Sequence, residues 1–168
     1  MKKIGIFYSF NTNKTAKVAD RIKEAFGNEE VELVNVEDAK KEKFHSFDNL
    51  ICGTATWFDG ELPNHWDEFV PELEDMDLGG KTIALYGLGD QKGYPENFLD
   101  AMGILAEILE ESGAKVVGYT PVAGYTYEHS RAENDGKFCG LGLDFENQAA
   151  LNKDRIASWV EQLRKEFT

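Results

Sequence analysis

The chain has 168 residues, 42% hydrophobic and 12% aromatic, which is too apolar for a disordered tail and enough for one domain with a core on both sides of a sheet. Eighteen Lys and Arg against 31 Asp and Glu leave a formal charge of −13, so a nucleic-acid backbone or an anionic membrane would repel the surface, and a protein partner is expected to be basic. Cys52 and Cys139 form neither CxxC nor CxxH, which argues against a zinc site or redox dithiol and for buried thiols in a reducing compartment.

Met1 to Lys3 followed by Ile4 to Tyr8 has the basic head of a signal peptide, but the apolar run ends at Ser9 without a small-residue cleavage site. It therefore reads as the first strand of a cytoplasmic protein. No stretch approaches membrane-spanning length. Ser9-Phe10-Asn11-Thr12-Asn13-Lys14-Thr15 leads into a helix with Ala16, Ala19, Ile22 and Phe26 on one face. Hydroxyls, amides and free N–H groups at a helix start suit a phosphate. Capping by Thr12 or Asn13 accounts for the same residues equally well. Lys14-Thr15 resembles the end of a P-loop, but GxxxxGK[ST] requires two glycines and this loop has none, which argues against an NTPase.

Val31 to Val34 and Leu50 to Cys52 are the second and third strands. Gly53 to Leu62 follows, a polar, glycine-punctuated loop holding Trp57 and Phe58 side by side. No sheet or helix periodicity would bury them. Trp57 suits stacking on a planar ligand, or folds back as a lid on the core. Trp66, Phe69, Val70 and Leu73 form a helical core stripe that Pro71 should kink or divide. Thr82 to Tyr86 is the fourth strand. Its loop, Gly87-Leu88-Gly89-Asp90-Gln91-Lys92-Gly93-Tyr94, is one residue too long for a dinucleotide fingerprint. It reads instead as peptide groups and Asp90 facing a ring's polar edge, with Tyr94 over its face.

Phe98, Ala101, Met102, Leu105, Ile108 and Leu109 share a helical face closed by Gly113, and Lys115 to Tyr119 is the fifth strand. Pro121 to Asn147 is rich in glycine and tyrosine and reads as an insertion into or after that strand, a loop with short strand pieces. The last helix runs from Asn152 as cap to Phe167, aligning Ile156, Trp159, Val160 and Leu163. The alternation predicts an α/β fold, a five-stranded parallel sheet with helices on both faces. Without repeats or linkers, residues 1–168 form a single domain. His45, His65 and His129 are scattered, so no metal site is expected. No Ser-His-acid set or carboxylate pair can be argued either, so no catalytic residue is assigned.

Ligands of open α/β sheets sit beyond the carboxyl ends of the strands. There the three loops supply a phosphate cradle, two aromatic plates and a hydrogen-bonding edge, which describes a mononucleotide flavin site. On KKIGIFY, ATWFDGEL, YGLGDQKGYPENF, GKFCGLGLDFENQ and DRIASWVEQL, the chain resembles the flavodoxin family over essentially its whole length. The segment between Tyr119 and Asn147 makes it look like a long-chain flavodoxin. The resemblance implies strand order 2-1-3-4-5, a long-chain insertion at strand five and non-covalently bound FMN. It implies that Ser9, Asn11, Thr12, Asn13, Lys14 and Thr15 hold the phosphate and that Thr56 touches the ribityl-phosphate side. Trp57 and Tyr94 would sandwich the isoalloxazine, Asp90 would accept from N3, and Phe58 and Asp59 would lie near N5. Gly60, Gly87, Leu88 and Gly89 complete the implied binding set. A type II turn at Phe58-Asp59 would ask Asp59 for a positive φ. The chain departs from the family's T/S-x-T-G-x-T loop at two places: Phe10 removes one hydroxyl, and Asn13 puts a side chain where glycine is usual.

The resemblance implies a low-potential one-electron carrier, not an enzyme, and expected to be a monomer. It would shuttle electrons between a basic-faced flavodoxin reductase or ferredoxin-NADP reductase and low-potential acceptor enzymes. Eight acidic residues and no Lys or Arg between Asp59 and Gly80 suit docking of such partners. The rival is an FMN-dependent NAD(P)H:quinone reductase, which needs open space above the flavin. A receiver domain of the same topology is disfavoured, because Gly53-Thr54 and Ser9-Phe10 stand where its acidic residues belong.

Overall fold

The computed structural model describes residues 1–168. Five parallel strands, β1 (Ile4–Tyr8), β2 (Val31–Asn35), β3 (Asn49–Ala55), β4 (Thr82–Leu88) and β5 (Lys115–Val117), lie in the order β2-β1-β3-β4-β5. β1, β3 and β4 read as near-continuous apolar runs because both of their faces are covered. On one side α1 (Lys14–Phe26) and α6 (Asn152–Glu166) bury Val18, Ile22, Trp159 and Leu163 against Ile4, Ile6 and Ile51. On the other, α2 (Lys41–His45), α3 (Asn64–Asp67), α4 (Val70–Glu74) and α5 (Asp100–Glu111) bury Phe44, Trp66, Leu73 and Leu105 against Phe7, Leu50 and Leu85. Pro71 divides the stripe of residues 66–73 into α3 and α4, and the Trp66 indole N–H donates to Gly53 O at 2.9 Å.

The fifth strand is shorter than expected, ending at Val117 and not at Tyr119. Gly118 turns the chain out of the sheet at φ 83°, and a side chain there would stand 2.9 Å from Trp159 Nε1. That indole N–H donates to Gly118 O at 2.9 Å, fixing the exit. The chain then builds a small antiparallel sheet from β6 (Thr120–Pro121), β7 (Glu133–Asn134) and β8 (Lys137–Phe138), ordered β6-β8-β7. It returns as β9 (Leu141–Leu143), parallel to Tyr86–Leu88 of β4, whereas β5 pairs with Thr82–Ala84. The insertion therefore lies within the fifth strand, whose two pieces share β4 as neighbour.

Other boundaries differ: β3 runs on through Gly53–Ala55 and β4 through Gly87–Leu88, residues expected in the following loops, because both strands keep pairing with each other to that point. Phe98 is core but precedes α5, and Leu99 enters that helix from a left-handed conformation (φ 60°). Asn152 is not a cap: a 3₁₀ turn at Ala149–Leu151 precedes it and Leu151 takes the cap position. The Asn152 side chain is fully buried, with neither of its polar atoms bonded. Cys52 and Cys139 are free and buried, and burial pushes the Cys139 thiol up to about 12. No helix is long and apolar enough to cross a membrane.

Candidate functional site

The loops after β1, β3 and β4 meet at the carboxyl edge of the sheet around two adjoining hollows. One, about 450 Å³, runs from Asn11–Thr15 past Thr56, Trp57, Leu88, Gly89, Asp90 and Tyr94 to Phe145 and Glu146. The other, about 460 Å³, shares Thr56, Trp57, Gly89, Asp90 and Tyr94 and adds Phe58, Asn97 and Phe98.

At the first end, α1 begins without any side-chain cap, so neither Thr12 nor Asn13 caps it. The first α1 N–H groups, which have no partner within a helix, are left beside the hollow. The Thr12 hydroxyl donates instead to Ser9 O at 2.6 Å, and the Tyr86 hydroxyl donates to Thr15 O at 2.9 Å, tying the helix start to β4. Ser9 is turned away from the hollow: its hydroxyl donates to Glu37 Oε2 at 2.5 Å, and Asn11 Nδ2 donates to the same oxygen at 2.7 Å. Hydrogen bonds from Ser9 and then Asn11 hold the Glu37 carboxyl below its ordinary range. The Phe10 N–H donates to Asn35 Oδ1 at 3.1 Å, while its ring leans on Tyr8 and is half exposed. Asn13 has right-handed backbone (φ −91°), so this position does not need the left-handed conformation that favours glycine.

The β3 loop closes on itself where Trp57 N–H donates to Glu61 O (2.9 Å) and Glu61 N–H donates to Trp57 O (2.7 Å). The positive φ falls on Phe58 (49°) and Gly60 (95°), not on Asp59, which corrects the expected turn. Gly60 and Asp59 do not line either hollow. A side chain at Gly60 would stand 2.6 Å from Asp100 Oδ2, and Asp59 O accepts from Asn97 Nδ2 at 3.2 Å, so both serve the turn's placement. Left-handed backbone costs a bulky residue roughly 1–2 kcal/mol, and the Phe58 ring is 73% exposed. Phe58→Asn is therefore expected to stabilise the apoprotein by up to about 1 kcal/mol, read from urea unfolding; a loss of stability would show that the ring's contacts outweigh its backbone.

The Trp57 ring stands edge-on to His65, centroids 5.8 Å apart, and is 37% exposed; Tyr94 is 58% exposed. Burial pushes the His65 imidazole down, against the pull of Glu37 and Glu68. Thr56 Oγ1 accepts from Ala101 N–H at 3.1 Å and so serves the start of α5 as well as the hollow. Asp90 Oδ1 is filled by Gly93 N–H (2.8 Å), Lys92 N–H (3.2 Å) and Asn147 Nδ2 (2.8 Å). What Asp90 leaves for a ligand is its other oxygen and the peptide groups beside it. Gly87 packs against Met102 and does not line the hollow.

Sequence reasoning missed the wall formed by residues 144–147. Asp144 is buried and accepts from Gln91 N–H (3.1 Å), Gln91 Nε2 (2.8 Å), Glu146 N–H (3.0 Å), Asn147 N–H (2.9 Å) and Asn147 Nδ2 (2.9 Å). Gln91 Oε1 in turn accepts from Thr126 N–H at 2.6 Å, pinning the insertion to the β4 loop. The only local signal was Asp144 itself, a residue that forms Asx-turns with the N–H two positions on; the contacts to Gln91, 53 positions away, leave none. No group of three His, Cys, Asp or Glu side chains is placed to hold a metal ion.

A doubly wound sheet with its hollow at the carboxyl edge, between an uncapped helix start and two exposed aromatics, defines a mononucleotide-binding α/β protein. The flavodoxin family model matches residues 6–159. A flavodoxin of Nostoc sp. strain PCC 7120 is 47% identical over 166 residues, covering 99% of this chain and 98% of its own. Flavodoxin 1 of Escherichia coli K12 is 38% identical, covering 97% and 93%. The crystal structure of Fusobacterium nucleatum flavodoxin bound to flavin mononucleotide superposes with a TM-score of 0.95 at 39% identity over the whole of both chains. The chain belongs to the flavodoxin family.

Proposed function

We propose that this chain binds FMN non-covalently in the cleft and works as a low-potential one-electron carrier, not an enzyme. The observation that carries the reading is the opening of an uncapped helix start and two exposed aromatic side chains onto one hollow. Likeness to an FMN-bound flavodoxin at matching length supports it. The α1 N–H groups with Thr12, Asn13, Lys14 and Thr15 would hold the phosphate, Ser9 and Asn11 bracing the loop through Glu37. Thr56 and Leu88 would flank the ribityl chain, and Trp57 and Tyr94 the ring faces. Gly89, Asp90 and Phe58 would meet its edges. FMN supplies the one-electron chemistry; the chain binds it, orients it and screens it from water.

Residues 1–168 are read as one domain, a cytoplasmic monomer whose partners are a basic-faced reductase and low-potential acceptors. The decisive experiment is an absorption spectrum of the purified protein, with reductive titration and NAD(P)H oxidation assayed on the protein alone. A yellow protein that takes up single electrons but does not oxidise NAD(P)H is expected. A colourless protein unable to take up FMN would overturn the reading, and rapid NAD(P)H oxidation would favour the quinone reductase.

For docking, the acidic run is divided by its own structure. Glu72 accepts from Lys41 N–H at 2.6 Å and Asp75 pairs with Lys41 Nζ at 2.9 Å, whereas Asp67 and Glu68 are exposed and form no ion pair. Electron exchange with a basic reductase is expected to slow as salt rises. Asp67→Asn with Glu68→Gln should flatten that dependence more than Glu72→Gln does; stopped-flow rates across an ionic-strength series decide it.

A further inference from the structure

We infer that Glu146 is a specificity-determining residue of the cleft, holding the one cation at its phosphate end and so limiting the preference for a phosphate ester over the same ring system without phosphate. This rests on the flavin reading above. Lys14 is the only Lys or Arg among the residues lining the first hollow. Its Nζ lies 2.5 Å from Glu146 Oε1 and 5.9 Å from the Phe145 ring centroid, against the 144–147 wall.

Glu146 is well placed for this role. Its N–H donates to the buried Asp144, which also fixes Asn147 and Gln91, so the carboxylate stands on an anchored turn. Lys14 is the first residue of α1, so the same ammonium sits where a dianion would approach the helix start. An arriving phosphate must therefore draw Lys14 away from a carboxylate that also repels it. Both side chains are about half exposed, 46% and 52%, and exposed pairs are weak, so the competition is worth a small factor and not orders of magnitude.

The test uses the full-length apoprotein, with FMN and riboflavin as probes and flavin fluorescence quenching as readout at low salt. Glu146→Gln is expected to tighten FMN binding about two- to fivefold and leave riboflavin unchanged, the gain fading at high salt. Lys14→Met should reduce the FMN-over-riboflavin preference more in the Glu146→Gln background than in the wild type, because Lys14 is free to serve the phosphate only there. Thermal melts establish that each variant folds. A preference unmoved by Glu146→Gln, equal changes for both flavins, or equal effects of Lys14→Met in both backgrounds would overturn the inference while leaving the flavin reading intact. A wild-type apoprotein that binds neither flavin would overturn both.

Discussion

Replacing Asp144 with alanine is expected to lower the unfolding free energy by about 2–3 kcal/mol, a large value for one side chain, because it strands the two buried donors of Gln91 and unpairs three part-buried donors of Glu146 and Asn147. Gln91 N–H and Nε2 and Asn147 Nδ2 converge on Oδ2, while the Glu146 and Asn147 N–H groups converge on Oδ1. Charged acceptors make the stronger hydrogen bonds, and donors left buried without water bear the full desolvation cost. Asp144→Asn keeps one acceptor but turns an amide toward these donors, so it should recover only part of the loss. The acid limb gives a second readout. Burial pushes the Asp144 carboxyl up, but hydrogen bonds from Asn147 and Gln91 outweigh it and hold the group below its ordinary range. Its contribution to stability is thus complete above the usual aspartate value of about 3.9 and is lost as pH falls through the lower folded value. Urea unfolding from about pH 7 down to about pH 3 should show a smaller fall in stability for Asp144→Ala than for wild type. Parallel falls would mean that the charge of Asp144 is not what the network uses.

The same network shows why the fold was more legible than the site. Parallel strands covered on both faces are written as unbroken apolar runs, so Ile4–Tyr8 and the core of β3 and β4 could be read directly. Helical stripes were equally plain, and Pro71 marked its own break. What local pattern could not carry were contacts between distant residues. The exit at Gly118 depends on Trp159, 41 positions away, and the second piece of the fifth strand follows an insertion whose length no periodicity encodes. At the site, loop composition located the hollow, yet Ser9 and Asn11 are directed by Glu37 on the next strand's loop. Two polar side chains in a phosphate-like loop look alike in sequence whether they face a ligand or a neighbouring carboxylate. Phe58 is a different kind of miss: a left-handed phenylalanine contradicts local preference, and only the closed pairing of Trp57 with Glu61 explains why it is held there.

Trp57→Ala is expected to weaken FMN and riboflavin binding by the same factor, roughly 5- to 150-fold, corresponding to about 1–3 kcal/mol for a planar ring stacked on an aromatic side chain. The equality follows from position: Trp57 lines both hollows but belongs to neither core. In this it is unlike Lys14 and Glu146, which lie at the helix-start end of one hollow only and are inferred to act on the phosphate. Tyr94→Ala should act in the same direction, its ring being more exposed than that of Trp57. Trp57→Phe should restore part of the affinity, since a smaller aromatic face still stacks. Stability separates this role from that of a lid. A lid folded on the core would, on truncation, lower the apoprotein's melting temperature about as much as a buried aromatic does, a cost of roughly 3–5 kcal/mol. A binding plate over a hollow should leave the apoprotein's unfolding free energy within about 1 kcal/mol of wild type, while the flavin-bound protein loses stability in step with its weaker binding. Intact flavin affinity with a destabilised apoprotein would reverse the assignment and return Trp57 to the core.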